Sequence, residues 1–90
     1  MKADAIYPEQ LRPFDQMSDG KKWTYIIAYR NLILGQSDWT QLPDAVLTLA
    51  EKSAGEDYRQ ALRNIPQDFV NPDDVVFPTP PEFLEGWVSL

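Results

Sequence analysis

Cysteine and histidine are both missing from the ninety residues. Without Cys, no disulfide staples the fold. Without either residue, zinc sites built from Cys and His are excluded, and so are the Ser-His-Asp and Cys-His triads. No apolar run approaches the roughly 18 residues that suggest a membrane span. The opening MKADAIYPEQL has no h-region of signal-peptide length, so a cytosolic place is expected. Bases are scarce, and none follows Arg63. The net charge of −6 disfavours nucleic acid as a partner. Residues 1–45 carry six acids and five bases, whereas residues 46–90 carry eight and three. An acidic tail can steer toward a basic partner, or it can serve solubility alone.

Carboxylates are then the only candidates for acid–base work. Glu56 and Asp57 are neighbours in an expected helix, where adjacent side chains point about 100° apart and do not converge. Asp73 and Asp74 follow a turn signal, Asn71-Pro72. Calcium would need about six oxygens in an organised loop, and no EF-hand spacing is present. Neither an enzyme nor a metal site is expected, and no cofactor.

What the chain does have is aromatic mass: three Trp, four Tyr and four Phe. Each can bury roughly 150–250 Å². With 43% hydrophobic residues, that suffices for one small domain and argues against disorder. So short a chain has a thin stability margin.

The pattern predicts a mainly α fold: a small two-helix, helix-turn-helix hairpin-like domain with an extended N-terminal arm and a Pro-rich C-terminal tail. Residues 1–18 read as the arm, interrupted by Pro8 and Pro13. Its Ile6, Tyr7, Leu11 and Phe14 either tuck against the core or serve a partner. Residues 19–66 form the helical core. The first helix is expected over 19–34, capped by Ser18 or Asp19 and closed by Gly35 at C′. Trp23, Ile26, Ile27, Arg30, Ile33 and Leu34 fall near one face. Trp23, Tyr25, Ile27 and Tyr29 also alternate like a strand, but length and caps favour a helix.

A joint follows, containing SDWTQLPDA. Pro43 pushes Leu42 out of helical geometry. Trp39 is either a core anchor or a partner-binding hot spot. Thr48 and Glu51 match a capping box, starting a second helix that runs to about Asn64. Leu49, Tyr58, Ala61, Leu62 and Ile65 supply its stripe, Gly55 weakens it, and Pro66 stops it. Arg59 and Arg63 lie four apart on one face and could hold a carboxylate of the acidic tail or of a partner. Residues 67–90 read as an extended acidic tail on or near the core. Its PTPP, Pro78 to Pro81, either lies across the chain's own helices or docks on a partner.

Three blocks in this order carry a resemblance. RNLILGQSDWTQLPDA, YRQALRNIP and VVFPTPP resemble the small tail assembly chaperones of tailed bacteriophages and, more loosely, their tail fibre assembly proteins. The resemblance covers Arg30 to Pro81. It departs from the usual pattern at Gly55, where a tryptophan precedes the Tyr-Arg pair, at Phe77-Pro78, usually Trp-Pro, and at Asn64, usually an acid. Trp23 or Trp87 could compensate for the lost aromatic packing.

The resemblance implies a non-catalytic helper in the host bacterial cytoplasm. It would bind a phage tail or tail fibre polypeptide and assist its folding or assembly, with neither nucleic acid nor membrane as a partner. The residues expected to meet the partner are Trp39, Leu42, Tyr58, Arg59, Leu62, Arg63, Phe77 and Pro78. A groove between the two helices would cover apolar strand edges that aggregate before assembly. An exposed apolar face could also give a homo-oligomer. The rival readings are a small tail or baseplate component retained in the virion and a host-directed regulatory binder.

Overall fold

The structure, a computed structural model, describes residues 13–88. The fold of these residues is mainly helical and holds no strand, only an isolated bridge between Glu85 and Val88. The first helix, α1, spans Asp19–Ser37. Ser18 caps it as expected, its side chain accepting the Lys21 N–H at 3.3 Å. The helix runs three residues past the predicted end, and Gly35 lies inside it rather than at C′. Tertiary contacts hold that last turn in place of a glycine cap. Arg59 donates to the Leu34 carbonyl and Thr40 donates its hydroxyl to the Ser37 carbonyl. The described residues include no helix that is long and apolar enough to cross a membrane.

A single 3₁₀ turn, Asp38–Gln41, leads into Leu42, which is extended ahead of Pro43 as the proline demands. The second helix, α2, spans Leu49–Arg63. Both capping-box bonds form: Thr48 accepts the Glu51 N–H at 3.0 Å, and Glu51 accepts the Thr48 N–H at 2.9 Å. Gly55 does not break the helix. It is buried, and a Cβ there would lie 3.4 Å from the Phe83 ring. Glycine at this point lets Phe83 sit against the helix, in the space that a larger side chain would fill. After a break at Asn64 comes a short helix, α3, Ile65–Asp68, with Pro66 in the first turn, where its missing N–H costs nothing.

α1 and α2 form a hairpin around Ile26, Ile33, Tyr58, Leu62, Ile65 and Leu84, each at most 6% exposed. Leu49 does not join the stripe expected of it. It sits at the start of α2, 86% exposed, before the helix reaches α1.

The C-terminal segment then crosses the hairpin. It makes a 3₁₀ turn at Pro72–Asp74, runs without regular structure over residues 75–81, and turns again at Glu82–Leu84. Gly86 takes a φ of 88°, which only glycine adopts freely. Leu84 is fully buried, and Phe69, Val75, Phe77, Phe83 and Val88 pack against the core. The prolines of PTPP are half-buried here. Of the expected arm, residues 1–12 lie outside the described residues, and with them Ile6, Tyr7 and Leu11. Phe14–Gln16 forms a 3₁₀ turn.

Candidate functional site

The joint and the start of the YRQALR block face each other. Arg59 is 5% exposed. One terminal nitrogen donates to the Leu34 carbonyl and the Ser37 hydroxyl, both at 2.7 Å; the other donates to Asp38 Oδ1 at 2.7 Å. The last carbonyls of a helix are unpaired and carry partial negative charge, so a cation placed there closes the helix end. Ser37 is itself buried, its hydroxyl turned back to the Ile33 carbonyl at 3.0 Å. The expectation that Arg59 might hold the acidic tail is corrected: its carboxylate comes from the joint. Among the described residues, the tail carboxylate in an ion pair is Asp73, bonded to Lys22 at 2.6 Å.

Trp39 anchors the same joint. Half-buried, it meets Phe83 edge-on at 6.4 Å and Trp87 at 5.1 Å. Phe83 and Trp87 thus supply the aromatic packing that Gly55 forgoes; Trp87 could be anticipated, Phe83 was not. Of the other residues expected to meet a partner, Tyr58, Arg59 and Leu62 are buried and belong to the interior. Leu42 and Arg63 are exposed, and Phe77 and Pro78 half-buried. The structure does not bring these eight onto one surface.

It does open a cleft elsewhere, of about 530 Å³. One wall is α1, through Tyr25, Ile26 and Tyr29; the other is the C-terminal segment, through Pro72, Asp73, Val75 and Phe77. Phe14, from the turn before α1, completes the lining and is 40% exposed. Tyr29 and Phe77 meet edge-to-face at 5.3 Å. This cleft lies between one helix and the extended segment, not between the two helices where a groove was expected and where Ile33 and Leu62 are buried.

The cleft carries one ion pair at its edge. The buried Lys22 lies 5.8 Å from the centre of the Phe14 ring, a cation–π distance. The hydrogen bond that Lys22 donates to Asp73 holds its ammonium above its ordinary 10.5, against the desolvation that lowers it; the charges of Asp73, Asp19 and Asp15 add to the rise. Lys22 stays charged, pinning the C-terminal wall to α1. Among the described residues, no three His, Cys, Asp or Glu side chains gather as metal ligands would. The lining can accept aromatic and aliphatic side chains and orient them by one charge pair.

Sequence reasoning found Phe77 but missed Tyr25, Tyr29 and Val75. The signal existed in part, since Tyr25 and Tyr29 sit four apart on α1. Reading the apolar face through Trp23 and Ile27 hid it.

The described residues thus form a helical hairpin strapped by a proline-rich segment, with an aromatic cleft beside one ion pair. The profile of the family described as phage tail assembly chaperone protein matches residues 23–82, two thirds of the chain. The chain belongs to that family. No curated protein and no solved structure matches it.

Proposed function

We propose that the chain is a non-catalytic assembly chaperone that binds an unassembled tail or tail fibre polypeptide and assists its folding or assembly. The cleft carries this reading. Tyr25 and Phe14 are 41% and 40% exposed there, although large aromatics are the residues a small domain most needs to bury. An apolar segment of the partner laid against Tyr25, Tyr29 and Phe77 would be shielded from aggregation until assembly withdraws it. Family membership supports a tail polypeptide as the partner.

Co-expression with the tail or fibre protein of the same phage tests the reading. The partner should be more soluble with the chain than without it, and Tyr25→Asp should remove that benefit while the helices remain. Purified particles should hold the chain at most in traces by mass spectrometry. A partner equally soluble and equally assembled without the chain would overturn the proposal. Stoichiometric retention in particles would favour a virion component.

A further inference from the structure

The two walls of the cleft end in carboxylates. Asp73 lines the cleft itself, Asp74 follows it in the same 3₁₀ turn, and no base follows Arg63 in the chain. On the helix side, Asp15 stands next to Phe14, and Asp19 begins α1 three residues before Lys22. All four carboxylates are exposed.

The nearby bases do not cancel them. Lys22 is buried and bonded to one oxygen of Asp73, Oδ1. The Asp73 side chain remains 54% exposed, which leaves Oδ2 to accept a second cation. The charges of Asp15 and Asp19 also act on the Lys22 ammonium, so both lie around this end of the cleft. Lys21, half-buried in the first turn of α1, is the other base here. Arg30 bonds Asn31 and the Arg63 carbonyl and is not part of the lining. Four carboxylates thus meet two ammonium groups at the Phe14 end. Apart from Asp73, the lining carries no charged side chain.

An apolar floor with an acidic rim selects on two counts. It rejects acidic segments, because like charges are held together where water is partly excluded. It gives little to a basic segment without apolar side chains, since exposed ion pairs alone are weak and screened. We infer that the cleft recognises a segment of the partner in which aromatic or aliphatic side chains are flanked by lysine or arginine. The inference rests on the binding role proposed above and adds the chemistry of the occupant. The apolar side chains lie against Tyr25, Tyr29 and Phe77, and the flanking cation meets Asp73 Oδ2 and its neighbour Asp74. A second copy fits the site poorly: each chain carries −6, so its acids would face this rim.

Three labelled peptides, GKLFVLKG, GQLFVLQG and GELFVLEG, present one apolar core with positive, neutral and negative flanks. Titrated against the full chain by fluorescence anisotropy at about 50 mM salt, the lysine peptide should bind about tenfold tighter than the glutamine peptide, and the glutamate peptide weaker than both. At about 500 mM salt the lysine advantage should shrink to about threefold or less. The double variant Asp15→Asn/Asp74→Asn leaves the Lys22–Asp73 bond in place. It should lose the lysine preference and keep its affinity for the glutamine peptide. Tyr25→Ala should weaken binding of all three.

Equal affinity for the three peptides, or a lysine preference that the double variant retains, would overturn the inference. If the tail or fibre protein still gains solubility from the chain in that case, the chaperone reading stands without it. A lysine preference with no such gain would support the inference and count against the chaperone reading. A cleft that takes none of the peptides, being filled by a second copy or by the chain's own residues 1–12, would also overturn the inference.

Discussion

The Arg59 guanidinium and the Asp38 carboxylate meet at 2.7 Å, joining α2 to the turn that ends α1. The pair is lopsided: the Arg59 side chain is 6% exposed and that of Asp38 67%. Most of the value of Arg59 should therefore lie in its bonds to Leu34 and Ser37. Arg59→Met leaves a helix-end carbonyl and a buried hydroxyl without their donor and should lower stability by about 3 kcal/mol. Asp38→Asn keeps an acceptor in place and removes a largely exposed charge, so its effect should stay below about 1 kcal/mol. Urea unfolding followed by tryptophan fluorescence measures both. Equal losses would mean that the ion pair, not the helix end, is what matters.

Trp39 should behave as an anchor. Its ring holds Phe83 and Trp87, so Trp39→Ala should cost about 3 kcal/mol, the lower end for large aromatics because the site is half-exposed. Trp39→Phe should recover most of the loss. If Trp39→Ala instead melts like the wild type and only partner binding fails, Trp39 is a contact residue.

Gly55 separates two effects that usually coincide. Alanine there gains helix propensity on the order of 1 kcal/mol and places its Cβ at ordinary contact distance from Phe83. Gly55→Ala should leave the melting temperature unchanged or raised. Gly55→Leu must displace Phe83 and should lower stability by about 1–3 kcal/mol.

Tyr58 is 4% exposed, and its hydroxyl has no partner among the described residues. Tyr58→Phe removes a polar group buried without a bond and should be neutral or stabilising by up to about 1 kcal/mol. Burial pushes the Tyr58 hydroxyl above its ordinary 10.0, and Tyr29 adds to the rise. The unfolded chain therefore loses this proton first as pH rises. The stability tied to it is complete below pH 10 and falls as pH climbs from there through the raised folded value. Alkaline melts should show this fall in the wild type and less of it in Tyr58→Phe.

Much of the hairpin could be read from local signals. Ser18, Thr48 with Glu51, and Pro43 each act within a few residues, and each does in the structure what its chemistry requires. The end of α1 was illegible because Arg59, 22 residues beyond Ser37, determines it. The cleft was harder still. Its two walls come from residues 25–29 and 72–77, and no spacing rule links a helix face to an irregular segment. Tyr58, Arg59 and Leu62, expected to meet a partner, are instead buried between α1, α2 and the segments that pack on them.

The segment over residues 75–81 has a mechanical consequence. Among the described residues, no backbone hydrogen bond ties positions 76–80 to the helices. Side-chain burial at Val75, Phe77 and Leu84 and the Lys22–Asp73 bond hold it down. The cleft is thus a vice with one rigid jaw, α1, and one compliant jaw. Seating a bulky side chain would lift the compliant jaw without unwinding a helix. Amide exchange should be fastest along that jaw in the free chain, since sub-global opening begins where main-chain bonds are fewest.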